Sequence, residues 1–204
     1  MAAPQKKRGR PREFDEAVAL AGASETFIRH GYSGASIDAL ARAMQLNKPS
    51  LYAAFGDKRS LYLAVLKARY RRVAVRYRAQ FEKGRTLEEA LRNVFEDAVE
   101  VCLGEGGPPG CPIASASATE AFEDDAIREA TRQYRDLTDK GLAAWVRSKA
   151  ELDSGALADS IARLASGTLY DLALRARVGE SRAKLRVIAR DAAKILAAAA
   201  RVPR

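Results

Sequence analysis

The sequence contains few of the residues on which metalloenzymes, histidine-dependent hydrolases and disulfide-stabilised proteins rely. It has one histidine and two cysteines among 204 residues. One histidine is too few for a histidine-based metal cluster, and two cysteines are too few for a disulfide scaffold, so we expect a reducing, cytoplasmic location. No apolar run approaches the roughly 20 residues that cross a bilayer. No apolar stretch follows the basic start either, so neither a membrane partner nor a secretory signal is expected.

The usual sequence signatures of catalysis are missing as well. No glycine-rich phosphate loop, nucleophile elbow or metal-ligand cluster occurs. The acidic run from Glu123 to Asp125 falls at a predicted helix start, where capping and the helix dipole explain it. We therefore predict that the protein is not an enzyme and needs no cofactor or metal.

Basic residues are concentrated in the first part of the chain. The formal net charge is +9, and residues 1–85 hold 18 of the 35 lysines and arginines but only 7 of the 26 aspartates and glutamates. That segment carries a net charge of +11, whereas the remainder carries −2. The asymmetry favours a polyanionic partner, nucleic acid before membrane, over a basic surface that only confers solubility.

Apolar residues recur at helical spacing along the chain, and no segment alternates as a strand does, so the pattern predicts an all-α protein of about nine helices. We expect a flexible basic arm (1–12), a three-helix domain with a helix-turn-helix (13–57), a connecting helix (58–82) and a C-terminal helical domain (83–204). The predicted helices span 15–30, 58–82, 87–103, 112–122 and 156–177. Two short helices, capped by Ser36 and Asn47, are expected within 36–55. A long helix is expected from a cap at Asp124 or Asp125 to about residue 150, and a last helix from Glu180 or Ser181 to about residue 201.

The chain is organised around the two short helices of residues 36–55, which lie within the run 31–61, GYSGASIDALARAMQLNKPSLYAAFGDKRSL. This run resembles the DNA-binding domain of the TetR family of bacterial transcriptional regulators, and the preceding RGRPREFDEAVALAGASETF is similar to the family too. One departure is Gln45, in a turn where many members carry glycine; a left-handed backbone there costs about 1 kcal/mol. The matching positions are Gly31-Tyr32, Ser36, Leu40-Ala41, Asn47 to Tyr52, Phe55, Lys58 and Leu61.

The resemblance implies a homodimer that binds a near-palindromic double-stranded DNA operator, usually as a repressor, and that responds to a small-molecule effector in its C-terminal domain. The second helix of a helix-turn-helix enters the major groove with its first residues nearest the bases. Lys48 at that position can contact either guanine or a phosphate. The predicted base contacts are Asn47, Lys48, Pro49 and Ser50, and the predicted phosphate contacts are Ser36, Tyr52 and Lys58.

Two of these assignments have structural alternatives. Tyr52 can instead pack against Leu20 or Ile37. Arg8 and Arg10 in the arm are expected to enter the minor groove, where the potential is most negative, although charge alone would also hold the arm near DNA.

The C-terminal domain supplies candidate residues for pairing and for the effector, each of which is also compatible with the monomer core. The expected dimer contacts are Leu157, Ile161, Leu164, Thr168, Leu172, Leu185, Ile188, Ala192 and Ile195. The expected pocket residues are Phe95, Val99, Cys102, Cys111, Phe122, Tyr134, Trp145 and Tyr170.

Two alternative functions use other features of the same chain. Cys111 follows a Gly/Pro loop at a predicted helix start, a position that lowers the pKa of a thiol. It is therefore either a redox or electrophile sensor, alone or with Cys102, or a small residue that begins the helix. The arm sequence RGRPR is compatible with an architectural protein of A·T-rich minor grooves.

Overall fold

The computed structural model describes residues 14–104, 108–111, 117–150 and 155–201. Within these ranges the chain forms helices and no strand, which confirms the predicted all-α class. No helix there is both long and apolar enough to cross a membrane. The helices are α1 (Glu16–Gly34), α2 (Ile37–Ala43), α3 (Lys48–Phe55), α4 (Lys58–Lys83), α5 (Leu87–Leu103), α6 (Ser117–Glu123), α7 (Asp125–Lys149), α8 (Gly155–Arg177) and α9 (Arg182–Ala199).

Side-chain caps fix the starts of the helices in the first domain. Ser36 Oγ accepts from the Ala39 amide at 3.2 Å, and Asn47 Oδ1 accepts from the Ser50 amide at 2.8 Å. Asp57 Oδ1 accepts from the Ser60 amide at 2.7 Å. Each contact satisfies an amide that would otherwise have no partner in the first turn of a helix.

The first helix is longer than the sequence predicts. Gly31 has the positive φ expected of a helix-ending glycine, 71°, with ψ 175°. The helix is interrupted there, but a further turn continues to Gly34 before Ser36 begins α2. The predicted start of the sixth helix at Pro112 lies outside the described residues.

Two hydrophobic clusters divide the molecule into a head and a body. In the head, α1–α3 pack against the first half of α4 around Phe27, Leu40, Leu51 and Tyr62, all fully buried. In the body, α5 is central and packs against α4, α8 and α9. Ile127 of α7 is also fully buried and belongs to the cluster of the head, so α7 contacts both parts.

Gly22 allows α1 and α2 to approach closely. A Cβ placed on Gly22 would lie 2.1 Å from the carbonyl oxygen of Ala43, the last residue of α2. No side chain can occupy that space without moving one of the helices. The contact holds the end of α2, and with it the turn that leads into α3.

Candidate DNA-binding surface and effector cavity

The turn between α2 and α3 is a Schellman motif. The Leu46 amide donates to the Ala41 carbonyl at 2.9 Å, and the Gln45 amide donates to the Arg42 carbonyl at 3.1 Å. This pattern places Gln45 at the position that is normally left-handed, and its φ is 56°. Gln45 therefore takes the conformation that glycine adopts without steric cost.

The turn presents the first residues of α3 to solvent. Asn47, Lys48 and Pro49 are exposed and Ser50 is half-buried, while Leu51 is fully buried beneath them. Pro49 lies in the first turn, where its missing amide proton removes no helical hydrogen bond. The amino end of α3 thus points outward while its apolar side anchors it to α1 and α2.

Lys48 is paired with an acidic residue of the preceding helix. Its Nζ lies 2.8 Å from Asp38 Oδ1, and the two side chains are 51% and 60% exposed. The hydrogen bond to Asp38 raises the pKa of Lys48, so the ammonium group is charged. An exposed pair of this kind is weak, so the lysine remains available to an acceptor on DNA.

Lys58, at the start of α4, is held more firmly than a surface lysine. Its Nζ donates to the Ser33 carbonyl at 3.2 Å and lies 4.7 Å from the centre of the Tyr32 ring. Burial lowers the pKa of Lys58, while the nearby Glu120 carboxylate acts in the opposite direction. Ser33 Oγ in turn donates to Glu120 Oε1 at 3.1 Å. This small polar cluster connects the predicted phosphate contact to α6.

Ser36 and Tyr52 are also on the surface of the head. Ser36 is exposed, and its oxygen accepts the capping hydrogen bond, which leaves its hydroxyl proton able to donate. Tyr52 is 48% exposed, so it is not enclosed by Leu20 and Ile37. Arg8 and Arg10 lie outside the described residues.

A cavity of about 110 Å³ lies in the body between α4, the end of α5, α7 and α8. Five of the predicted pocket residues line it: Cys102, Cys111, Tyr134, Trp145 and Tyr170. The sequence missed the contribution of α4, whose Arg69, Tyr70, Val73 and Tyr77 also face the cavity. These residues recur at intervals of three and four positions, which is the spacing of one face of a helix. That spacing could have identified them from the sequence.

Three predicted pocket residues do not line the cavity. Phe95 and Val99 are fully buried in the core, on the side of α5 that packs against the neighbouring helices, and only Val101 and Cys102 of this helix reach the cavity. Phe122 is 88% exposed. Glu120, two positions earlier on α6, reaches the head, and a two-residue offset turns Phe122 roughly to the opposite side of that helix.

The two cysteines share the cavity but differ in environment. Cys102 is buried, and burial raises the pKa of its thiol to about 12. Cys111 is half-buried. The Gly110 amide donates to the Cys102 carbonyl at 2.6 Å, which holds the loop that carries Cys111 against the end of α5.

The predicted dimer residues fall into two groups. Ile161, Leu172 and Leu185 are fully buried in the core of the body, because one apolar side of α8 and of α9 faces α5, and they are therefore unavailable to a second chain. Leu164 and Ile195 are 63% and 66% exposed, and Leu157, Thr168, Ile188 and Ala192 are half-buried. The sequence missed three further exposed apolar residues, Leu174, Val178 and Val187.

Several contacts join the cavity to the head. Tyr134 of α7 lines the cavity and stacks on Tyr70 of α4 at 5.1 Å, two helical turns from Ile127 in the core of the head. Arg59 lies 3.8 Å from Asp124, the cap of α7. Arg177 at the end of α8 donates to the Ile28 carbonyl of α1.

Comparison with known proteins agrees with this architecture. A family model described as "Bacterial regulatory proteins, tetR family" matches residues 19–65. The chain is 28% identical over 189 residues to the HTH-type transcriptional repressor ComR of Escherichia coli (strain K12), which covers 91% of this chain and 90% of ComR. A solved structure of a cysteine mutant of the TetR family transcriptional regulator CifR, complexed with 26-bp double-strand operator DNA, aligns with a TM-score of 0.81. Its sequence identity is 27%, over 91% of this chain and 98% of that one.

These similarities cover both parts of the molecule. The family model spans α1 to α3 and the first turns of α4, which form the head. ComR and CifR extend the similarity through the helices of the body. Residues 19–65 therefore match the TetR family of bacterial regulatory proteins, and the chain as a whole is similar to transcriptional regulators of that family.

Proposed function

We propose that this protein is a ligand-responsive transcriptional repressor of the bacterial cytoplasm that binds a near-palindromic operator as a homodimer and carries out no catalysis. The observation that carries the proposal is the exposed amino end of α3 above its buried anchor Leu51. ComR is named a repressor and CifR was solved on operator DNA, which supports the same role here. In this proposal residues 13–57 bind DNA, 58–82 connect, and 83–204 bind the effector and dimerise.

The proposed contacts divide into base readers and phosphate anchors. Asn47, Lys48, Pro49 and Ser50 lie nearest the base edges when α3 occupies the major groove. Ser36, Tyr52 and Lys58 flank this segment and bind phosphates, which set the position of the head on the duplex. Arg8 and Arg10 of the arm enter the adjacent minor groove.

Dimerisation is proposed to use the outward sides of α8 and α9. These two helices pack against each other, and Leu164 and Ile195 expose large apolar side chains to solvent. Exposed apolar residues of this size on neighbouring helices suit an interface with a second copy. Two heads then meet two half-sites whose centres are one helical turn of DNA, roughly 34–36 Å, apart or a multiple of it.

Release from DNA is proposed to follow effector binding in the cavity. A ligand that displaces Tyr134 and Tyr70 moves α7 and α4 together, and both helices contact the head. The liganded state would favour a spacing of the heads that no longer fits two half-sites.

The proposal is tested by selecting bound sequences from a random duplex pool with the full-length protein. We expect enrichment of one symmetric sequence with two half-sites. Footprinting on that sequence in the presence of scrambled competitor then separates the two DNA-binding functions. Protection that is lost with modest competitor, or enrichment of A·T-rich DNA without symmetry, would favour an architectural minor-groove protein.

A thiol-based sensor is a second candidate, because Cys102 and Cys111 line the same cavity. Peroxide would take two electrons from the two thiols, forming one S–S bond and two water molecules that carry away the thiol protons. The loop next to Cys111 lies against Arg177, since a Cβ on Gly110 would be 3.5 Å from the Arg177 Cβ, and Arg177 contacts α1. Operator affinity measured before and after peroxide, in wild type and Cys111→Ser, tests this role. Unchanged affinity in oxidised wild type rules it out.

A further inference from the structure

The cavity of the body combines an aromatic wall with a single charged side chain. Tyr70, Tyr134, Trp145 and Tyr170 supply rings to the wall, and most of the remaining lining residues are aliphatic. Among the described residues that line the cavity, Arg69 is the one with a permanent charge, and none has a carboxylate. The wall of the cavity is therefore mostly apolar, and Arg69 gives it one positively charged group.

Two polar groups on this wall are buried without hydrogen-bond partners. Arg69 Nε is inaccessible to solvent and makes no hydrogen bond within the described residues. Ser166, only 3% exposed, has a hydroxyl in the same condition. The Ser166 hydroxyl is close enough to the Tyr170 hydroxyl to act towards a lower pKa of Tyr170. The two groups nevertheless form no hydrogen bond of normal geometry. Buried polar groups are normally paired, and an unpaired charged donor is especially unfavourable.

The neighbouring side chains do not neutralise the guanidinium group. Burial raises the pKa of Tyr170 to about 12 and raises that of Tyr77 well above its ordinary value, so both phenols are uncharged at neutral pH. Asp139 has a buried carboxylate oxygen without a partner, but Asp139 is not among the residues that line the cavity. None of the ion pairs among the described residues includes Arg69. Since no described residue that lines the cavity supplies a negative charge, an anionic ligand would supply it.

The size of the cavity limits the ligand. Its volume is about 110 Å³, which is of the same order as the roughly 150 Å³ of an enclosed cavity that holds one benzene molecule. The space therefore suits a ligand with a single ring better than one with several fused rings. The stacked pair Tyr70–Tyr134, at 5.1 Å, offers the ring a flat surface.

We infer that the effector is a small single-ring anion, such as an aryl carboxylate, whose acidic group accepts a hydrogen bond from Arg69 Nε and whose ring packs on the tyrosines. The inference rests on the proposed function, since it specifies the ligand of the proposed effector cavity. Ser166 also lines the cavity, and its unpaired hydroxyl is a second hydrogen-bond donor for the acid.

Benzoate and nitrobenzene test the inference directly, because they have the same shape and differ in charge. Binding of each to the full-length protein is measured by titration calorimetry without DNA, at one ionic strength. We expect benzoate to bind roughly ten- to a hundredfold more tightly, as a charge-assisted hydrogen bond predicts. Equal or tighter binding of nitrobenzene, or no binding of benzoate, would overturn the inference.

A pair of variants assigns the effect to Arg69. Arg69→Gln keeps a hydrogen-bond donor but removes the charge, and we expect it to abolish the preference for benzoate. Arg72→Gln, three positions along α4 and outside the cavity, is the matched control and should keep the preference. An unchanged preference in Arg69→Gln would contradict the inference. The wild-type comparison remains decisive if the variant does not fold.

The same protein preparation separates this inference from the proposed function. Addition of benzoate to the complex with the selected operator should weaken DNA binding in wild type and not in Arg69→Gln. If the protein binds its operator but does not prefer benzoate, the inference fails alone. If no operator is selected, the proposed function fails whatever binds in the cavity.

Discussion

At the scale of single residues, the Lys48 ammonium group can bind either the Asp38 carboxylate or an acceptor on DNA. In the free protein its ammonium group is 2.8 Å from the Asp38 carboxylate. Both side chains are exposed, so solvent screening keeps the pair weak, and an acceptor on DNA competes readily. A lysine at this position of α3 that contacts guanine contributes to specificity, whereas one that contacts a phosphate contributes only to affinity.

Replacement of Lys48 by alanine distinguishes these roles. If Lys48 reads a base, Lys48→Ala should weaken operator binding by roughly 1–3 kcal/mol and affect scrambled DNA much less. Lys67→Ala, which removes an exposed lysine of α4, is the matched control. Affinities are measured by fluorescence anisotropy at a fixed salt concentration. An equal loss on both DNAs would instead assign Lys48 to a phosphate.

The raised pKa of the buried Cys102 thiol determines how the free energy of unfolding should depend on pH. The pKa of Cys102 is about 12 in the folded protein against 9.0 for an ordinary thiol, because burial disfavours the thiolate. Its stabilising contribution is complete below pH 9 and is lost as the pH rises towards 12. Tyr170, with a pKa raised in the same direction, adds to the loss above its ordinary pKa of 10.0.

Denaturation at several pH values tests this expectation. The free energy of unfolding should fall above pH 9, with Cys102 contributing about 1.4 kcal/mol per pH unit at most. Cys102→Ala should flatten the profile, while Val101→Ala, which shortens the preceding side chain, should not. Equal slopes in wild type and Cys102→Ala would contradict the assignment.

At the scale of helices, the contact of α1 with α2 depends on one glycine. In Gly22→Ala the new methyl group would meet the Ala43 carbonyl oxygen, 2.1 Å away, so the helices must separate. We expect a loss of about 1–3 kcal/mol in the free energy of unfolding and weaker operator binding, because the end of α2 holds the turn before α3. Gly34→Ala is the control and should be nearly neutral, because its new Cβ would lie 3.7 Å from the His30 Cβ, an ordinary van der Waals contact. Thermal unfolding and anisotropy measure the two effects.

The helices and their ends follow largely from local sequence. Ser36, Asn47 and Asp57 each accept from an amide three residues away, so short-range patterns identify them. The departure at Gln45 is also a local feature, and its φ of 56° shows that the turn accepts the strain of a non-glycine residue. The extra turn of α1 after Gly31 could not be predicted from local sequence. A glycine with a positive φ interrupts the helix, but it does not prevent another helical turn from starting after it.

Contacts between residues that are far apart in the chain could not be predicted from the sequence. Periodicity shows that Ile127 faces inward, but not that it enters the core of the head. Likewise, α8 and α9 each carry apolar residues on more than one side, so the pattern could not separate Ile161 in the core from Leu164 on the surface. Phe122 is a predicted pocket residue, but the direction of α6 puts its side chain on the surface.

At the scale of the whole molecule, pairing of two chains is expected to depend on the exposed apolar residues of α8 and α9. The double variant Leu164→Glu with Ile195→Glu should convert the dimer to a monomer and lower operator affinity, because charges are costly to bury at an interface. Val75→Glu changes a residue of α4 that is 72% exposed and serves as the control. Light scattering gives the mass, and a dimer that survives the double variant would place the interface elsewhere.

The proposed repressor must recognise DNA sequence through its head as well as attract DNA by charge. Its basic first segment, net +11, ensures some attraction to any duplex, so affinity for one DNA proves little. The direct measurement is the ratio of dissociation constants for the selected palindrome and for a scrambled duplex of the same composition, at roughly physiological salt. We expect a ratio on the order of 10³ or more in favour of the palindrome. A ratio near one would contradict it.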